Sequence, residues 1–253
     1  VATNGTVSHW PGLEAYRLVL QVGGNLTVDA GGSLSADGRG FPPGTGPGRG
    51  ALDNANTCPA ASHGGMGAPN PGVAGQPTTY GSILSPTNFG SGAYSYGGGA
   101  IQATVAGTTR VDGAISVKAG PPGLAAAAGG SIYLVTGFLE GSGTLDASSP
   151  NFYPSSPQYG GGGGRIAAIL TGSSSFGSVT MKAYGCYPGR PDPFPGAAGT
   201  IYKQMAAQGP GNGTLVVDAG GVVGPTNVTT RLLPSSGTPA YDLKYVTLSL
   251  TNA

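Results

Sequence analysis

Chemistry requires side chains that carry charge, move protons or attack, and only 8% of this 253-residue chain is charged. The best catalytic set is Asp146 with Lys118 and Lys182, a carboxylate placed between two ammonium groups. A polysaccharide lyase would add clustered carboxylates for Ca²⁺, and a glycosidase would need two carboxylates at a defined separation. Glu14 and Glu140 are the only glutamates and the aspartates are scattered, so spacing identifies no acid pair. A structural ladder of ion pairs accounts for the same three residues and is the preferred reading. His9 and His63 lie outside any Gly-x-Ser-x-Gly context, which argues against a serine nucleophile. His63, Met66 and Cys58 are soft-metal ligand types, but they are too few for a site, so no metal or other cofactor is expected. The glycines at 160–164 lack the Lys-Ser/Thr and the helix that complete a phosphate loop. They read as corners where positive φ and close approach of successive coils demand glycine.

The elements that would position these residues emerge from internal repetition. One pattern is a glycine run followed by an apolar strand, and it recurs around Ile101, Ile132, Ile166 and Ile201 at spacings of 31, 34 and 35. A second pattern alternates apolar and polar residues before a small residue. It places Leu26, Leu34, Ile115, Leu145, Val179 and Leu215 in an inward slot. The outward slot that follows holds Asp29, Asp37, Lys118, Ser148, Lys182 and Asp218. Each unit of about 30–36 residues thus contains two short strands and a Gly/Pro-rich loop, too little to bury its own apolar face. Stacking in register solves that problem and predicts an all-β parallel β-helix or solenoid, with a Gly-rich sandwich or barrel as the competing fold. The outward column would then run at about 4.8 Å per coil.

Fifty glycines and 22 prolines exclude a helical protein, while 38% hydrophobic residues supply a core. A net charge of +1 offers no basic patch for phosphates, so no nucleic-acid partner is expected. The longest apolar stretch, from Gly123 to Gly130, is too short to span a bilayer. The first residue, Val1, fits a chain whose signal peptide has been removed, and export is the working expectation. In that setting Cys58 and Cys186 are expected to form one disulfide. Asn-x-Ser/Thr triplets at Asn4, Asn25, Asn212 and Asn227 suit an extracellular or cell-surface location but also arise by chance in such a composition.

Residues 1–221 read as the glycine-rich solenoid, with a long excursion at 39–96 whose aromatics favour packing down on a wall. Residues 222–253 read as a C-terminal cap or assembly strand, since the segment from Asp242 to Thr251 alternates as a strand should. Trp10, ahead of the first core strand at 16–22, reads as a capping side chain.

Ser33-Leu-Ser-Ala-Asp-Gly-Arg-Gly40, Gly97-Gly-Gly-Ala-Ile101, Gly129-Gly-Ser-Ile-Tyr-Leu134 and Gly160-Gly-Gly-Gly-Gly-Arg-Ile166, taken with the motifs after them, resemble the glycine-rich β-helical regions of large secreted and surface proteins. The resemblance covers about residues 18–221 and implies a structural or adhesive role. Lys203-Gln204 and Cys186 depart from the pattern. The first expectation is therefore a non-enzymatic building block that self-associates into a homo-oligomer, filament or matrix, with Trp10, Tyr241, Tyr245 and Leu248 at its contacts. The second is a carbohydrate-binding or adhesive module with Tyr94, Tyr153 and Tyr187 as stacking platforms. The third is a β-helical polysaccharide-degrading enzyme centred on Asp146.

Overall fold

The computed structural model describes residues 1–49, 60–69, 78–121, 125–150, 159–187, 194–221, 229–230, 232 and 246–251. Among these the chain is all-β apart from a single 3₁₀ turn at Glu14–Tyr16. The strands are β1 (Thr6–Val7), β2 (Leu18–Val22), β3 (Leu26–Val28), β4 (Ser33–Ser35), β5 (Ala100–Val111), β6 (Ala114–Ser116) and β7 (Ser131–Glu140). They continue as β8 (Thr144–Asp146), β9 (Arg165–Leu170), β10 (Thr180–Lys182), β11 (Thr200–Gln204), β12 (Thr214–Asp218) and β13 (Thr247–Thr251). Two sheets hold them. The smaller runs β1-β4-β6-β8-β10 with every pair parallel. The larger runs β13-β12-β11-β9-β7-β5-β2, with β3 also pairing with β5.

The repeat read from the sequence is the stacking register. Ile101 pairs with Ile132, Ile132 with Ile166 and Ile166 with Ile201, so each spacing of about one repeat is one rise of a β-solenoid of about three turns. Leu18 occupies the same column below Ile101 despite lying 83 positions earlier, because the excursion is looped out between them. In the smaller sheet Leu34, Ile115 and Leu145 stack, each at most 1% exposed. The two columns meet in one apolar core that includes Val28, Val111, Leu134 and Leu170.

Three members of the second pattern lie elsewhere. Leu26 pairs with Thr109 in the larger sheet, and Leu215 lies opposite Tyr202 on an antiparallel strand. On β10, Met181 rather than Val179 stacks on Leu145, and Lys182 lies opposite Asp146 rather than Ser148. A slip of two residues leaves every side chain on its own face, so period-two alternation is blind to it.

Among the described residues the third leg of each coil contains no regular strand. It is an extended glycine- and alanine-rich segment, described at 119–121 and 125–130, at 147–150 and 159–164, and at 183–187 and 194–199. Backbone N–H groups of Ala126 and Gly129 donate to Tyr159 and Gly162, and those of Gly160 and Gly163 donate to Phe194 and Ala197. Partners advance three residues at a time. The same period governs space: a Cβ on Gly160 or Gly163 would meet the segment holding Ala183 and Cys186. One on Gly161 or Gly164 would meet Ala127 or Gly130, and one on Gly162 would meet Gly65. Three residues per turn with no internal hydrogen bonds is the signature of a polyproline II-type helix. These legs therefore pack as a bundle in which backbone touches backbone on several sides. The close approach expected of the glycine runs is present, but positive φ is not: left-handed glycines occur at turns such as Gly31, Gly141 and Gly177, and none lies in the runs at 97–99, 129–130 or 160–164.

The described part of the 39–96 excursion adds a second layer to this bundle. Ala61 donates to Ala126 and accepts from Gly162, and Ala128 donates to Ser91. Its Tyr80, Ile83 and Phe89 are buried. The Glu14 carboxylate accepts from the Asn88 amide at 3.1 Å and the Phe89 backbone at 2.8 Å, tying the excursion to the entry of β2.

Candidate functional site

Stacking brings two members of the predicted outward column together, while Asp29 follows β3 in the larger sheet and does not join them. Asp37, two residues past β4, and Lys118, two residues past β6, are neighbours across coils. The Asp37 Oδ1 accepts from Ser116 Oγ at 2.6 Å and from the Lys118 backbone N–H at 2.7 Å. Its Oδ2 lies 3.5 Å from the Lys118 ammonium. This pair forms one side of an open cleft of about 450 Å³, whose other walls include Arg39, Ser95, Tyr96, Pro121 and Pro150. Gly38 sits at its base with φ +60°, and a Cβ there would press on Gly120, so the turn after β4 is held close to the third leg of the next coil. Tyr96 is 38% exposed and Arg39 is exposed, and neither side chain has a hydrogen bond or ion pair among the described residues. The cleft therefore presents a guanidinium, an ammonium, a carboxylate and a phenol around apolar proline walls.

The sequence picked out Asp37 and Lys118 as column members but not Arg39 or Tyr96. Arg39 follows a turn, and Tyr96 belongs to the excursion, so neither shares the strand periodicity. The only signal for Tyr96 was its place in an aromatic series embedded in glycine and serine.

The candidate acid–base set is separated. Lys182 lies across from Asp146, but Lys118 is engaged by Asp37, and Asp146 Oδ1 accepts instead from the Ser148 backbone at 2.9 Å. No ion pair joins the three residues. Of the proposed stacking platforms, Tyr94 packs half-buried against an alanine cluster with Ala93 and Ala125, and Tyr187 is 36% exposed. Tyr153 lies outside the described residues. Cys186 is a buried free thiol pushed up to about 12 by burial, and no disulfide is found there. Its expected partner, Cys58, lies outside the described residues. Trp10 is 78% exposed rather than packed as a cap, and Leu248, on the last strand, is 49% exposed. Tyr241 and Tyr245 lie outside the described residues.

A buried polar network went unread in the sequence. Arg165, 2% exposed at the start of β9, donates from Nε to the Tyr80 carbonyl at 2.9 Å and from a terminal nitrogen to Thr200 Oγ1 at 2.9 Å. The Tyr80 hydroxyl donates to the Phe89 carbonyl at 2.5 Å and contacts Ser91 Oγ at 2.8 Å, and its ring lies 4.7 Å from that of His63. His63 hydrogen-bonds through Nδ1 to the Gly129 carbonyl at 2.8 Å. Burial, reinforced by the nearby Arg165 charge, lowers its pKa to about 3, so the imidazole is neutral. Burial raises the Tyr80 phenol well above its ordinary range. The network joins the excursion to β9 and β11. Among the described residues no group of three or more His, Cys, Asp or Glu side chains is arranged to hold a metal ion.

No protein-family model, curated protein or solved structure matches this chain.

Proposed function

We propose that this protein is an extracellular structural building block whose solenoids join end to end into a filament, matrix or surface layer. The observation that carries the reading is the character of the two outermost strands of the larger sheet. β2 and β13 stand at opposite ends of the strand order. Their sequences, Leu-Val-Leu-Gln-Val and Thr-Leu-Ser-Leu-Thr, contain no charge and no proline. Sheet edges in monomeric proteins are ordinarily guarded by lysine, proline or bulges, because an unguarded edge pairs with whatever strand it meets. Apolar side chains are exposed on both strands: Val19 is 49% exposed on β2, preceded in the chain by the exposed Trp10, Leu13 and Tyr16, and Leu250 is 63% exposed on β13. Because β12 reverses direction against β11, β13 runs antiparallel to β2. A joint between copies would therefore be an antiparallel pair of five-residue strands. A contact between different surfaces that does not close on itself propagates as a fibre.

An extracellular setting accords with the low charge and with the exposure of Asn4, Asn25 and Asn212 in their Asn-x-Ser/Thr triplets. Negative-stain microscopy of the purified chain tests the proposal. Filaments or end-to-end oligomers are expected, and Val19→Lys or Leu250→Lys should give monomers with an unchanged circular dichroism spectrum. Deletion of residues 240–253 should also leave a folded monomer. A monomeric wild-type chain at all concentrations, or assembly indifferent to both lysines, overturns the reading.

A further inference from the structure

We infer that the cleft between the Asp37–Lys118 pair and Tyr96 is a binding site for an acidic sugar, specifically a hexuronate residue of a polysaccharide. The inference stands apart from end-to-end assembly, since the cleft lies on the side of the stack rather than at β2 or β13.

Charge selects the class of ligand first. Arg39 and Lys118 bring two positive charges and Asp37 one negative charge, so the cleft has an excess of one cation and suits a monoanion. The Lys118 ammonium is already shared with Asp37 at 3.5 Å, whereas the Arg39 guanidinium has no partner among the described residues. A guanidinium matches a carboxylate through two parallel N–H···O bonds, a geometry that an ammonium cannot reproduce. Arg39 is thus the carboxylate anchor, and Lys118 supplies the longer-range attraction.

The remaining walls favour a sugar ring over a simple carboxylate. The Tyr96 ring, 38% exposed at the rim, offers the flat aromatic face against which the C–H side of a pyranose packs, and Pro121 and Pro150 extend that apolar surface. The hydroxyl groups of the ring need acceptors. Asp37 Oδ1 already takes two hydrogen bonds, but Oδ2 meets only the distant ammonium and retains capacity for a hydroxyl proton. The Tyr96 hydroxyl has no hydrogen-bond partner among the described residues and can both donate and accept. A volume of about 450 Å³ admits one or two pyranose rings, and the open mouth lets a polymer enter and leave. The site is also held rigidly: Asp37 is fixed by backbone and serine donors, Gly38 and Gly120 abut, and Ser95 Oγ donates to the Gly120 carbonyl at 3.3 Å. Little ordering is left for the ligand to impose.

Calorimetric titration of the full chain with a galacturonic acid trisaccharide tests this, with the galactose trisaccharide and a short peptide acid as parallel probes. Saturable binding of the uronide is expected, with the neutral sugar and the peptide each at least about tenfold weaker, as the loss of one charge-assisted pair or one stacked ring requires. Arg39→Ala and Tyr96→Ala alter exposed side chains and should each weaken the uronide by about tenfold or more. Lys182→Ala, outside the cleft, should leave it unchanged. No saturable binding, equal binding of the neutral sugar or the peptide, or indifference to Arg39→Ala with folding intact would overturn the assignment. The assembly state of the same samples reads independently on the filament proposal.

Discussion

The strand walls and the glycine bundle are stacked by the same chain with the same rise, yet opposite physics holds each together. In the strand walls, columns such as Leu34, Ile115 and Leu145 remove large side chains from water, and the stabilisation scales with the apolar area buried. In the bundle, the residues at 160–164 have no side chains to bury. Their contribution is close backbone contact and hydrogen bonds passed from leg to leg in steps of three. A strand wall tolerates a smaller side chain at a cost set by the cavity. The bundle tolerates no larger one, because every direction around a central leg is already occupied by backbone.

The sharpest way to break this comparison is to add one methyl group to the bundle and to take a larger group out of a strand wall. A Cβ added at Gly163 would lie under 3.0 Å from the Ala183 carbonyl oxygen and the Gly199 nitrogen, both backbone atoms. Gly163→Ala should therefore cost more than about 3 kcal/mol, the upper range for forcing extra atoms into a packed interior, despite being the mildest of substitutions. Leu145→Ala deletes far more matter from a fully buried site and should cost about 3 kcal/mol. Chemical denaturation of the two variants checks the ordering. If Gly163→Ala is clearly the milder, the bundle is not backbone-packed and the distinction between the walls fails.

The two walls also differed in how far the sequence revealed them. The strand walls were legible because Ile101, Ile132, Ile166 and Ile201 repeat at nearly constant spacing and each sits in an alternating strand, so period and repeat reinforce each other. The glycine runs stood out equally, but composition says only that side chains are forbidden there. Positive φ and close approach both forbid them, and deciding between the two required knowing which segments are neighbours. The cleft was half legible for the same reason: Asp37 and Lys118 ride on strands, whereas Arg39 and Tyr96 meet them only through the fold. Arg165 gave no signal, since a buried arginine and an exposed one look alike beside a glycine run, and His63 stood out only as a base or soft-metal ligand type, with nothing in the sequence to mark it as buried.

Acid offers a second contrast, because the buried histidine belongs to the bundle and its second layer. His63 keeps a neutral ring with a native pKa of about 3 against 6.5 for an ordinary histidine, while Arg165 and Tyr80 face it. Below pH 6.5 the unfolded chain takes up a proton that the native chain refuses, so this contribution is full above pH 6.5 and declines as pH falls toward 3. At pH 5 the loss should be about 2 kcal/mol. His9, also lowered mainly by burial, adds in the same direction. Unfolding midpoints between pH 8 and 4 measure the slope, and His63→Gln should flatten it. Should that variant fail to fold, the ring resonances of the native protein provide the check, and a His63 imidazole that titrates above pH 5 would remove the effect. Amide exchange at pH 5 should quicken first at 90–99 and 125–130 rather than in β6 and β8.

The smallest effect is expected at the shorter of the two ion pairs among the described residues. Arg110 Nε lies 2.6 Å from Asp112 Oδ2 at the end of β5, and this contact raises the arginine pKa and lowers the aspartate pKa. Geometry alone would rank it above the 3.5 Å pair of Asp37 and Lys118. The arginine side chain is nevertheless 58% exposed and the aspartate 23%, so water reaches the pair and screens the attraction, and holding the long arginine chain in one rotamer offsets what remains. Arg110→Ala should leave the thermal midpoint unchanged within measurement error, in low salt and high salt alike. A clear, salt-sensitive fall would mean that surface charge, and not only the dry column and the glycine bundle, holds successive coils in register.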